Sequence, residues 1–346
     1  MTIFLMIIIT TTIMFFTPPA YSQIEFTAGD SKTINWYGYD ASGTVEYYSI
    51  DYSTDGGSTW TNSVDWTAGN PGTHIITIPD VETVQGRYRV ALRDNSGNVS
   101  YIVNSDDFTI VPLSWLEYIA SQDTGGERIL HWRLGESSGT TADNVEGTAT
   151  WDGTYNGSGW TYSQTGLVDD ADTCVDTDGS STTYLYCTDA SSNMIGDSEC
   201  SFELLTTGMP DEASATRPFF AKNGRDGIEM ARVGTYLTVY IDGAANRAEW
   251  RGAAQADWTG LNHWLIVFDG GETGDDRLKI WRNGSALSLT YTGSMPATLG
   301  DSTAQLEVGR YATGYFIGDI DEFIVWDDAK DGTYATASHT YARQND

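Results

Sequence analysis

The sequence predicts an all-β protein made of two successive β-sandwiches. The 346-residue chain is rich in turn formers, with 37 Gly and with 33 Asp against 15 Glu; Asp and Gly favour turns over helix interiors. Short runs of alternating apolar and polar residues recur from residue 24 to the C-terminus, at the roughly 8–12-residue spacing of small strands. Apolar residues make up 40% and aromatics 12%, too rich for a disordered acidic chain and enough for packed cores.

Residues 1–22 carry no charged side chain. Positions 3–16 are apolar apart from Thr10, Thr11 and Thr12, and Pro18-Pro19 follows. Ala20 and Ser22 place small residues at −3 and −1 of a cleavage before Gln23, so 1–22 reads as a signal peptide. The run is shorter than the roughly 20 residues of a spanning helix. It lacks Lys or Arg near Met1, and an uncleaved membrane anchor is the alternative. No second hydrophobic run follows. The expectation is a secreted mature chain, extracellular or at the cell surface, without membrane insertion. An oxidising compartment would let Cys187 pair with Cys200 and leave Cys174 odd, although spacing does not choose the pairing.

Residues 23–112 read as about seven strands. Positions 33–37, 45–52, 73–79, 86–92 and 107–111 alternate, and 53–60 forms a turn leading into a further strand. The motifs YSTDGGSTW, GRYRV, SGNVS and FTI make this segment resemble immunoglobulin-like or fibronectin-III-like modules of secreted bacterial proteins. That resemblance implies a β-sandwich. Residues 53–60 also fit the S-x-D-x-G-x-T-W box of sialidase propellers, but a propeller needs a box in several blades and there is one copy. The box is read as a structural hairpin. Residues 113–127 form a joint with Leu116, Ile119 and Ala120 at helical spacing, Ser114 as N-cap and Gly125-Gly126 as the stop.

A second strand series opens at 128–134. It continues at 184–187, 200–205, 219–222, 227–232, 236–241, 262–268, 278–282, 287–292, 304–308 and 318–326. So many strands exceed a seven-stranded sandwich and point to a double-sheet jelly roll. HWRLGESSGTTADN at 131–144, SFELLT at 201–206, NHWLIVFDG at 262–270, RLKIWRNGSAL at 277–287 and GDIDEFIVWDDA at 318–329 make 128–346 resemble laminin-G-like, concanavalin A-like lectin domains. The stretch 337–342 matches that family's short closing helix. The fold serves lectins, adhesion modules, virion proteins and glycosidases alike.

The chemistry is sparse. Related glucanases carry E-x-D-x-x-E on one strand, and retaining enzymes hold two carboxylates about 5–5.5 Å apart. Here Asp319 and Asp321 share a face, but both Glu of the signature are missing. His74, His131, His263 and His339 stand far apart, without H-E-x-x-H or a G-x-S-x-G elbow. No catalytic residue is assigned. The lectin-like resemblance implies a structural Ca2+ site, which by position falls on Asp143 and Asp321 with backbone carbonyls completing the shell. The cluster Asp169, Asp170, Asp172, Asp176 and Asp178 lacks a full calcium-loop spacing and is read as a solvated loop. For sugar binding, Trp160, Trp250, Trp258 and Tyr315 lie in or near expected loops, where rings can stack on a sugar.

Net charge is −30, with 48 acids against 18 bases. The acidic residues spread over both domains, and such a surface repels nucleic acid and anionic membranes. The sequence therefore reads as an exported, acidic, non-catalytic protein of recognition or cell adhesion, with carbohydrate binding leading. Its expected partners are glycans or extracellular surface proteins, with self-assembly open. The alternatives are a structural subunit of a virion, fibre or filament, and a secreted glycoside hydrolase.

Overall fold

The computed structural model describes residues 6–7, 24–38, 45–104, 106–147, 151–168, 172–180, 182–189, 195, 198–209, 216–222, 227–251, 258–300 and 303–343. About 52% of these residues are in strands and about 9% in helix, so the protein is all-β. The chain divides into two compact units, Met1–Leu113 and Ser114–Asp346. The proposed leader lies outside the described residues except for Met6–Ile7, which pairs with Ser31–Tyr37.

The first unit has two sheets. The larger runs in the order Ile24–Thr27, Phe108–Val111, Thr83–Asp94, Val45–Ser53, Thr61–Ala68, with Val99–Val103 also on Thr83–Asp94. The smaller joins Met6–Ile7, Ser31–Tyr37 and Thr73–Thr77. Strand alternation sends Tyr48, Ile50, Tyr88, Val90 and Leu92 from one sheet and Ile34, Trp36 and Ile76 from the other into one buried cluster. In the 53–60 turn, Asp55 Oδ1 accepts hydrogen bonds from the Thr59 amide at 2.8 Å and Ser53 Oγ at 2.7 Å. Hydrogen bonds from Thr59 and then Ser53 hold the Asp55 carboxyl down at about 2. The box is a self-bonded hairpin in this unit.

The second unit is a sandwich of an eight-stranded and a nine-stranded antiparallel sheet. In the eight-stranded sheet Gly318–Trp326 lies between Thr173–Thr177 and Glu199–Thr207, and Arg128–Trp132 pairs on it as well. In the nine-stranded sheet Leu306–Val308 is inserted between Tyr184–Cys187 and Thr216–Lys222. Late strands returning between early ones give the double-sheet, jelly-roll pattern. Phe202, Phe323 and Val325 from the first sheet share a buried core with Phe220, Met230, Val239 and Leu306 from the second.

The outer face of the eight-stranded sheet is also covered. Helix α1 (Trp115–Ser121) starts at a capping box in which Ser114 and Glu117 bond each other's backbone amides. Helix α2 (Gly332–Ala342) is capped by Asp331. Trp115, Ile119 and Tyr334 pack with Leu205, Leu265, Ile324 and Trp326 in a second buried cluster. Cys174, Cys187 and Cys200 are buried thiols. The Cys187–Cys200 pairing that the sequence left open is not formed: Cys187 lies in the nine-stranded sheet and Cys200 in the eight-stranded one, both as free thiols.

Candidate functional site

Helices α1 and α2 cover the eight-stranded sheet; on the outer face of the nine-stranded sheet Ala221, Glu229 and Tyr240 are buried, whereas Tyr186 and Glu307 keep part of their surface in solvent. In Leu306–Val308 both end residues are fully buried, so the pleat turns Glu307 to the other face. Cross-strand register aligns Tyr186, Glu307, Ala221, Glu229 and Tyr240 in one row. Beside Glu307 an open cavity of about 260 Å³ is lined by Ala221, Gln305, Glu307, Arg310, Tyr311 and Ala312.

A short hairpin closes one side of this cavity. It pairs Arg310–Tyr311 with Gly314–Tyr315, and Ala312 takes φ +54° in its turn, a conformation costly for a residue with a Cβ. Gly314 is required because a Cβ there would lie 2.9 Å from the Thr216 carbonyl oxygen. Arg217 Nη1 donates to the Tyr315 carbonyl at 3.1 Å. These contacts seat the hairpin on the sheet.

The hairpin carries Arg310 over the Tyr184 ring, 4.3 Å from its centroid, with Nη1 3.6 Å from Glu307 Oε1. Arg310 Nε is buried and, among the described residues, has no hydrogen-bond partner. Burial pushes the Glu307 carboxyl above its ordinary value, with Arg310 opposing. The cavity wall thus offers the Arg310 guanidinium, a carboxylate acceptor, the Gln305 amide and the Tyr311 side chain. That set hydrogen-bonds hydroxyls and stacks on apolar ring faces.

The residues expected from sequence lie elsewhere, apart from Tyr315, which stands opposite Arg310 in the hairpin. Trp160 is half-buried, donates to the Asn156 carbonyl at 2.8 Å and packs on Tyr155. Trp250 is half-buried against the core, with Arg282 over its ring. Trp258 is only 3% exposed, stacked on Trp264 and topped by Arg232, and offers no open platform. The cavity residues went unread because the segment 304–312, which supplies all of the lining except Ala221, carries no local motif.

Asp321 is buried, and its Oδ2 accepts the Leu167 amide at 2.7 Å. Asp143 is exposed, and its backbone amide donates to Glu136 Oε1 at 3.2 Å. Calcium takes six to eight oxygens. Among the described residues no group of three or more His, Cys, Asp or Glu is arranged for a metal. The described residues around Asp143 and Asp321 therefore do not fit such an ion. In the acidic cluster Asp169 and Asp170 lie outside the described residues, Asp172 pairs with Arg133 at 2.8 Å, and Asp178 accepts the Ser180 amide. Asp176 stands directly across from Asp319. Burial and then Asp176 raise the Asp319 carboxyl to about 6.

The histidines of this unit serve the fold. His131 is fully buried with Nε2 2.5 Å from Glu322; burial, then Arg128 and Arg133, lower its pKa. His263 Nε2 lies 2.6 Å from Glu203, and Ser338 and Tyr334 of α2 bond the same carboxylate. This Ser–Glu–His set has the carboxylate in the middle and no solvent access, so it does not activate a serine.

No family model matches the chain, and no curated protein matches it. Many solved structures resemble it in part, three of them as follows. One is the binding domain of botulinum neurotoxin DC in complex with rat synaptotagmin II, at 9% identity and TM-score 0.47, over 63% of this chain and 52% of that one. Another comes from work on cell entry of botulinum neurotoxin type C through two ganglioside molecules, at 9% identity and TM-score 0.48, over 64% and 53%. The third is domain 4 of an extracellular arabinanase from Geobacillus stearothermophilus in complex with arabinotriose, at 16% identity and TM-score 0.42, over 62% and 98%. The chain spans about half the length of the neurotoxin domains it matches. Likeness at this level leaves function to the chain's own residues.

Proposed function

We propose that this chain is an exported, non-catalytic recognition protein that binds glycans on the outer face of its nine-stranded sheet. The observation that supports it is the open 260 Å³ cavity whose wall brings together Arg310, Glu307, Gln305 and Tyr311. A sugar hydroxyl would accept from Arg310, Glu307 would accept from a second hydroxyl, and Tyr311 would meet the apolar face of the ring. The jelly roll supplies a rigid base for the hairpin that carries these groups. The uncharged start of the chain supports export, which N-terminal sequencing of the secreted protein would test.

A glycan array with wild type and Arg310→Gln tests the binding. Hits that weaken at least tenfold in the variant are expected. An empty array, unchanged binding in the variant, or release of reducing sugar from the hits would overturn the reading.

A further inference from the structure

The first unit carries a second surface whose chemistry the cavity does not explain. Three of the four basic residues in Met1–Leu113 are Arg87, Arg89 and Arg93, spaced two or four apart on Thr83–Asp94 and so on one face. That face points away from the core, into which Tyr88, Val90 and Leu92 are turned. Arg87 is paired with Asp107 at 2.5 Å and Arg89 with Asp51 at 2.7 Å. Arg93 is different. Its guanidinium lies over Tyr47, 4.3 Å from the ring centroid, and over Trp66 at 4.9 Å. No carboxylate among the described residues pairs with it.

The neighbouring surface is aromatic and preformed. Arg89 lies 4.6 Å from the ring centroids of both Trp60 and Tyr101. The small residues between the two stacks, Ser49 and Ala91, are buried. Trp66 nevertheless keeps 40% of its surface in solvent and Tyr101 56%. Rings grouped around guanidinium groups make a surface that can both stack on an apolar face and hold an anion. Rings against the faces of Arg93 leave the in-plane N–H edge, the part that grips a carboxylate in two parallel bonds.

We propose that this face is a second binding site, independent of the Arg310 cavity, for a glycan ending in a single carboxylated sugar, with Arg93 receiving the carboxylate and Trp66 the apolar face of the sugar ring. One unneutralised cation matches one negative charge. A polyanion is disfavoured by the net charge of −30. The face presents ring planes and a guanidinium edge, whereas peptides dock largely through main-chain hydrogen bonds at sheet edges or in grooves.

The test titrates the full chain with sialyllactose and with a glucuronate-terminated trisaccharide, using lactose as the neutral control. Binding of at least one acidic sugar, weakened by salt, is expected. Arg93→Gln and Trp66→Ala should each lower affinity at least tenfold. Arg93→Lys keeps the charge but not the fork and should also bind more weakly, whereas Arg310→Gln should leave this affinity unchanged. Lactose binding equally well, a monocarboxylate peptide binding better, no binding by wild type, or full affinity in Arg93→Gln would overturn the proposal. Loss in Arg310→Gln alone would likewise overturn it while supporting the cavity.

Discussion

Glu203 Oε1 and His263 Nε2 lie 2.6 Å apart with neither residue open to solvent. The pair joins neighbouring strands of the eight-stranded sheet, and the same carboxylate receives Ser338 and Tyr334 from α2. Ser338 in turn accepts Trp115 Nε1 of α1 at 3.0 Å. One glutamate therefore fixes both helices to the sheet. That closure covers the outer face of the eight-stranded sheet.

Glu203→Ala should be strongly destabilising. Removing one member of a buried, hydrogen-bonded pair costs about 3–5 kcal/mol. Chemical denaturation would show the loss, and protease cutting within 332–342 would show α2 released. A melt within a degree of wild type would refute this account of helix docking.

Acid should unlock the same contact. Burial pushes the Glu203 carboxyl up, but hydrogen bonds from His263, Ser338 and Tyr334 outweigh it and hold the group below its ordinary value. A depressed folded value means that the stabilisation is present above the unfolded pKa and disappears as pH falls through the folded one. Stability should drop below about pH 4.5, the ordinary glutamate range, and the drop should be shallower in Glu203→Gln. Identical acid profiles would count against it.

Asp319 should behave in the opposite sense. Its carboxyl is raised to about 6 by burial and then Asp176, so folding favours its protonated form, most fully below the unfolded value, and loses that contribution as pH rises towards 6. Asp319→Asn should stabilise the protein at pH 7 by about 1 kcal/mol, discounted for partial exposure, and have little effect at pH 3.5. Destabilisation at pH 7 would show that the carboxylate has a favourable partner.

Tyr88 offers a cleaner test in the first unit. Its ring is 5% exposed in the core, stacked on Phe108, and its hydroxyl has no partner among the described residues. An unsatisfied buried hydroxyl costs about 1–3 kcal/mol. Tyr88→Phe should leave stability unchanged or raise it by about 1 kcal/mol in urea melts. A loss above 1 kcal/mol would reveal a hydrogen bond at that oxygen.

Much of the fold was legible because strand periodicity is local. Alternation at 45–52 and 86–92 marks two central strands of the first unit, observed as Val45–Ser53 and Thr83–Asp94. Asn262–Asp269 instead runs apolar without alternation from Trp264 to Phe268, and seven of its eight residues are buried, because α1 and α2 cover the sheet face that would otherwise meet water. Polar strands escaped notice: Trp160–Thr165, Thr173–Thr177 and Arg247–Trp250 read as turns because Asp, Thr and Gln are common to both. The site was largely illegible. Trp258 sits in a loop by sequence, yet it folds back onto Trp264, since a loop can seal the end of a sandwich as well as expose a ring. Of the four expected rings only Tyr315 shares a hairpin with Arg310.

Calorimetric titration of wild type and Arg310→Gln with the glycan that an array ranks first tests the central claim most directly. The account predicts saturable binding by wild type and at least tenfold weaker binding by the variant, with both proteins melting alike. Equal affinities in the two proteins would contradict it.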